Sequence, residues 1–157
     1  MTDVIDDLIK REGPDSNDPS DHGGRTSHGI SERANPEAWA DGVVTDAEAR
    51  AIYEQKYVKA PGFDQVVDRR LREQLIDFGV NSGPMIAIIQ LQGILHIKAD
   101  GILGPQTLTL VNSPRAPELN TALVAARVRM IGKIVTKNPS QLKWLNGWLD
   151  RALQFIF

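Results

Sequence analysis

In one stretch of this chain after another the apolar residues recur at the three-to-four spacing of an α-helix, while the period-two alternation of a strand is weak almost everywhere. Val4, Ile5, Leu8 and Ile9 form the first such stripe, with Asp3, Asp6, Asp7 and Lys10 on the opposite side. Thr2 or Asp3 can cap this helix, and Gly13-Pro14 ends it. Thr45-Asp46-Ala47-Glu48 has the form of a capping box, and Ala49, Ile52, Tyr53 and Tyr57 after it predict a second long helix. Leu71, Leu75, Ile76, Phe78, Gly79 and Val80 continue helical through Asn81, where Ser82-Gly83-Pro84 closes the segment. Ile86 to Leu95 is apolar on nearly every side, which predicts a central helix. A turn from Lys98 leads into a helix beginning near Pro105. Leu119 to Val135 and Leu142 to Phe155 read as two more, divided by Lys137-Asn138-Pro139-Ser140. Only residues 13–30 depart from this pattern, and their Gly, Pro, Asp, Asn, Ser and Thr predict a hairpin with its turn at His22-Gly23-Gly24-Arg25. The expected fold class is mostly α with a small β-hairpin near the N-terminus.

A length of 157 residues suits one compact domain over 1–157, and no internal repeat suggests a solenoid. The chain has no cysteine, so neither disulfides nor thiolate metal sites contribute and stability must come from packing. A net charge of −2 supplies no bulk basic field, so nucleic acid is not an expected partner. The longest apolar runs are too short to cross a bilayer, so stable membrane insertion is not expected. MTDVIDDLIKRE lacks the basic start and unbroken apolar run of a secretory signal. The expected starting place is therefore the cytoplasm, and a substrate beyond the membrane calls for a separate means of passage.

Glu12 stands four residues after Leu8, which stands four after Val4, so a carboxylate continues the apolar stripe of the first helix. Desolvation there and the negative end of the helix dipole both oppose ionisation, which favours the protonated form a general acid needs. The same position also suits a glutamate that merely terminates a helix. Asp15, Asp18 and Asp21 follow on the polar segment and bring a second carboxylate within reach, as glycoside hydrolysis usually requires. Asp21 is preferred because Gly23-Gly24 beside it permits close approach of backbone and sugar, although an Asp in such a turn also bonds its own backbone. Thr26 offers a hydroxyl to hold a water, or is an ordinary strand threonine. His22, His28 and His96 are too scattered for a zinc set, and no metal or other cofactor is expected. Serine-hydrolase and phosphate-loop motifs are missing. Trp39, Trp144 and Trp148 can stack on sugars, but an i, i+4 pair such as the last two more often packs in a core.

Arg11-Glu12-Gly13, followed by Asn17 through Ser31 with Asp18-Pro19-Ser20-Asp21-His22-Gly23-Gly24-Arg25-Thr26-Ser27-His28-Gly29-Ile30, resembles the glycoside hydrolase family 108 lysozymes. These occur as phage endolysins and secretion-linked muramidases, with the glutamate as catalytic residue. Asp77 to Gly83, Leu91-Gln92 and Asp100 to Leu108 resemble the helical region these proteins carry as a predicted peptidoglycan-binding domain, and Trp144 to Arg151 resembles their closing motif. The resemblance implies a lysozyme-like helical fold with a catalytic part over 1–82 and a helical part over 83–157. It implies cleavage of the β-1,4 bond between N-acetylmuramic acid and N-acetylglucosamine, with Glu12, Asp21 and Thr26 catalytic. Gly24, His28 and Asn81 are the expected substrate-binding residues. The Glu, Asp and Thr are also similar to the set of T4-type phage lysozymes, where the nine positions from Glu12 to Asp21 agree and Thr26 comes one position early. Gly13-Pro14 departs from the family's Gly-Gly, and His28 stands where an aromatic is common.

The expected function is thus that of a monomeric muramidase acting on bacterial peptidoglycan in the periplasm or wall. A phage endolysin for host lysis, passed by a holin or an export system, fits the N-terminus. Alternatives are a wall-binding or secretion-accessory protein without turnover, and a lytic transglycosylase.

Overall fold

The computed structural model describes residues 4–12 and 25–156, with side chains for 5–10 and 25–156. The chain divides into two compact units, Met1–Val58 and Lys59–Phe157.

In the first unit, helix α1 (Val4–Glu12) buries Ile5, Leu8 and Ile9, the stripe expected from their spacing. It packs on α2 (Asp46–Glu54), which buries Ala49 and Tyr53, and Arg50 of α2 donates to the Asp6 carboxylate. The proposed caps of α1, Thr2 and Asp3, lie outside the described residues. The capping box of α2 forms as expected: Glu48 N–H donates to Thr45 Oγ1 at 3.3 Å and Thr45 N–H to Glu48 Oε2 at 2.9 Å. The α-helical winding stops at Glu54 and Gln55–Lys59 continues as a π-helical turn carrying Tyr57, so the long second helix is shorter than its periodicity suggested.

Strands β1 (Thr26–Ser27) and β2 (Ile30–Ser31) pair antiparallel, Thr26 opposite Ser31 and Ser27 opposite Ile30. The described hairpin turns at His28-Gly29, and of the turn expected at His22-Gly23-Gly24-Arg25 all but Arg25 lies outside the described residues. Both turn residues have positive φ, 49° and 75°, as tight two-residue hairpin turns demand. Glycine meets that demand without strain, whereas histidine is an uncommon occupant, which is why the double glycine upstream was the stronger signal. Strands this short need outside support. Trp39 Nε1–H donates to Ile30 O at 3.3 Å, and Tyr53 Oη–H to His28 O at 3.1 Å. Trp39 is buried, with the Arg25 guanidinium 4.8 Å from its ring centre, so it braces the hairpin and offers no free face to a sugar.

The second unit contains α3 (Arg69–Ser82), α4 (Pro84–Ile94), α5 (Pro105–Val111), α6 (Ala116–Lys137) and α7 (Leu145–Leu153). Helices α3, α4 and α6 pack on one another and α7 on α6, around Phe63, Leu71, Leu75, Phe78, Leu91, Val111 and Leu123. Asp68 caps α3 by accepting from Leu71 N–H at 2.8 Å, and the helix ends at Gly83, whose φ of 91° suits glycine before Pro84 opens α4. Helix α4 is central on one side only. Ala87, Ile88 and Leu91 are buried, yet Met85 is 59% exposed, because a small unit has too little polar surface to cover every apolar side chain. The last helix begins at Leu145, later than expected, because Pro139–Trp144 forms a 3-10 segment whose start is capped by Asn138. Trp144, in that segment, is 54% exposed and Trp148 on α7 is half-buried, so this pair is not core. No described helix is long and apolar enough to cross a membrane.

Gln92 is buried on α4, and its side chain holds the turn ahead of α5. Its Nε2 donates to Asp100 Oδ1 and Ile102 O, both at 2.9 Å, and Gly101 N–H donates to its Oε1 at 2.9 Å. The amide keeps the Asp100 carboxyl below its ordinary 3.8, with the Ile102 N–H helping. That contribution to stability is present above the unfolded value and is lost as pH falls through the lower folded one. Gln92→Leu is expected to cost about 2–3 kcal/mol, since it removes three bonds that are each worth about 1 kcal/mol. A thermal melt should fall by about 5–10 °C, and a change under 2 °C would remove Gln92 from the account.

Candidate active site

Helix α1 has Glu12 as its last residue, one turn beyond the buried Leu8. The Glu12 side chain, Asp21 and Gly24 lie outside the described residues, as does the proposed turn His22-Gly23-Gly24. Thr26 opens β1 opposite Ser31 and is half-buried. His28 occupies the hairpin turn, and its Nε2 lies 3.2 Å from Asp46 Oδ1 at the start of α2. The imidazole and its backbone carbonyl thus both engage α2, which fixes the ring beside the hairpin. Between α1 and α2 lies a cavity of about 450 Å³ lined by Asp6, Ile9, Lys10, Asp46, Ala47 and Arg50.

Asn81, on the last turn of α3, is exposed and lines a cavity of about 120 Å³ with Ser82, Arg127, Met130, Ile131, Ile134 and Trp148. Beside that cavity is a cluster of charges that the sequence reading missed. Asp77 is 1% exposed, with Arg127 Nη2 at 2.6 Å from its Oδ2 and Arg151 Nε donating to its Oδ1 at 2.7 Å. The Arg127 contact falls short of hydrogen-bond alignment, and Arg127 Nη1 and Arg151 Nη2 are buried with no acceptor among the described residues. Burial lowers the Arg127 guanidinium below its usual range while Asp77 raises it and Arg151 lowers it further. It remains charged at any ordinary pH. A signal was present: Arg127 falls four residues after Leu123 and four before Ile131, both buried, so a cation stands on an apolar stripe.

Residues 5–83 match the sequence profile described as Glycosyl hydrolase 108, about half of the chain. The chain belongs to the glycosyl hydrolase 108 family. Residues 86–153 of this family 108 protein match a second profile, described as Predicted Peptidoglycan domain. A solved structure of Brucella abortus SagA is similar over 98% of this chain and 93% of that one, at 26% identity and a TM-score of 0.70. No curated protein matches the sequence. The family 108 chain is accordingly a lysozyme-like glycoside hydrolase with peptidoglycan as its partner, and the mostly helical fold with one N-terminal hairpin agrees with the expectation.

Proposed function

We propose that this protein is a muramidase in which Glu12 protonates the oxygen leaving the β-1,4 bond between N-acetylmuramic acid and N-acetylglucosamine. The observation that carries the reading is the position of Glu12: it ends a helix whose one face is buried through Ile5, Leu8 and Ile9, within the span matching the hydrolase family. A carboxyl group at that end meets the negative pole of the helix, which favours the protonated form. Asp21 activates or positions water as the second carboxylate, and Thr26 holds that water. Gly24, His28 and Asn81 contact the glycan. The fixing of His28 by Asp46 supports a polar contact where the family commonly has an aromatic. The role is that of a phage endolysin in host lysis, passed to the wall by a holin or an export system and acting there as a monomer without a cofactor.

Product masses from a digest of purified peptidoglycan test the reaction. A hydrolase adds water across the cleaved bond, so reducing muropeptides are expected. Anhydro-muropeptides would make the protein a transglycosylase, and no products would make it a wall-binding protein. In the same assay Asp21→Ala is expected to lower the rate more than Asp15→Ala or Asp18→Ala, by about 10²-fold or more. Equal and mild losses at all three positions would assign the second carboxylate elsewhere.

A further inference from the structure

Between Glu118 and Asp150 the sequence holds no acidic residue, yet it carries Arg127, Arg129, Lys133, Lys137 and Lys143. Arg127 faces Asp77 in the buried cluster, whereas the other four are exposed on the second half of α6 and on the 3-10 segment after it. A chain of net charge −2 thus concentrates cations in one stretch, with no acid along it to neutralise them. Apolar side chains stand open among these cations. Trp144 is 54% exposed even with the Lys143 ammonium 5.1 Å from its ring centre, so much of the indole is free to meet a partner. Tryptophan is among the side chains that most often anchor a recognition surface. One helical turn further on, Trp148 is half-buried and lines an open groove with Asn81 and Ile134.

Peptidoglycan has the complementary chemistry. Its N-acetylated sugar rings have apolar C–H faces that can lie flat on an indole, and its stem peptides carry carboxylates that suit lysines. The profile described as Predicted Peptidoglycan domain spans residues 86–153 and so includes this whole stretch. A membrane surface also attracts cations and tryptophan, but it is met by the continuous apolar face of one amphipathic helix. Here the open apolar side chains sit on three elements, with Ile134 on α6, Leu142 and Trp144 on the 3-10 segment and Leu153 on α7.

We propose that this stretch is a wall-holding surface, with Trp144 stacked on an N-acetylated sugar and Lys143 paired with a stem-peptide carboxylate. It rests on peptidoglycan being the substrate. Glu12, Asp21 and Thr26 belong to the first unit, so holding and cleavage fall to different residues and can be measured separately.

Co-sedimentation of the full chain with purified, insoluble peptidoglycan on ice tests this. Trp144→Ala is expected to weaken binding about tenfold, which corresponds to about 1.4 kcal/mol. Lys143→Glu should weaken it too, and should leave a smaller dependence on salt than the parent's. Trp144→Tyr, which keeps a flat ring, should retain most of the binding. Both positions are exposed, so melting temperatures should stay within about 2 °C of the parent's. Titration of the parent chain with an N-acetylglucosamine tetramer should shift the Trp144 indole N–H saturably in a nuclear magnetic resonance spectrum, and this decides the matter if Trp144→Ala fails to fold. Parent-like binding by a folded Trp144→Ala, or no indole shift at Trp144, would overturn the proposal. Phosphatidylglycerol vesicles that hold the chain more tightly than peptidoglycan does, and lose it in Trp144→Ala, would also overturn it and make the surface a membrane contact. Cleavage is read by product mass and holding by bound fraction, so failure of one is told apart from failure of the other.

Discussion

Glu12→Gln is expected to abolish peptidoglycan cleavage while leaving the fold and wall binding intact. Glutamine has nearly the shape of glutamic acid, so the end of α1 can keep its packing, but an amide cannot deliver a proton to the leaving oxygen. General acid catalysis contributes about 10²–10⁴-fold, a loss that turbidity or dye-release assays on purified peptidoglycan resolve easily. A melting temperature equal to or slightly above the parent's should accompany it, since the apolar stripe that Glu12 continues predicts partial desolvation, where an amide is less costly than a carboxyl group. Loss of activity together with unfolding would make Glu12 a helix terminator, and near-normal activity in a folded variant would remove the proposed mechanism.

The largest effect on stability is expected at Asp77. Asp77→Ala leaves Arg127 buried without its counter-charge and Arg151 without its acceptor. Removing one partner of a buried ion pair typically costs about 3–5 kcal/mol, so a thermal melt should fall by roughly 10 °C or more. Replacing the three charges together, as Asp77→Leu with Arg127→Met and Arg151→Met, should recover most of that loss, because apolar groups of similar volume need no counter-charge. A mild effect of Asp77→Ala, within 2 °C, would show that water reaches the cluster. If the triple variant stays as unstable as the single one, shape rather than charge accounts for the loss.

What the sequence made legible was local. The stripe of α1, the capping box at Thr45 and the break at Gly83-Pro84 each depend on residues within about one helical turn of one another, and each forms as its spacing implied. The cluster at Asp77 joins residues 74 positions apart in the case of Arg151, and no periodicity in one helix announces a partner on another. Gln92 stayed hidden for the same reason: its run is apolar on nearly every side, so an amide there looked incidental until the turn at Asp100 folded onto it. A hairpin was anticipated, and the described turn at His28-Gly29 was not, because His28 adopts a backbone conformation that composition assigns to glycine or asparagine. Of the proposed site, spacing and residue chemistry suggested roles for Glu12, Asp21 and Thr26, and the resemblance joined them into one catalytic set. Arg127 could have been found from its place on a buried stripe.

The connection of α3 to α7 through Asp77 and Arg151 also bears on the order in which the chain acquires its structure during synthesis. Arg127 emerges well before Arg151, and Asn120 Nδ2 donates to Phe155 O at 2.8 Å, so two ties that close the second unit await Arg151 and Phe155. Until α7 leaves the ribosome, α3, α4 and α6 can collapse but cannot complete Asp77's partners or cover the face that α7 occupies. Closure is therefore a late event governed by contacts distant in sequence, the kind whose loop-closure entropy slows folding. A chain truncated before residue 145 should remain open to proteases over α3 and α6, and one that includes α7 and Phe155 should close in one cooperative step.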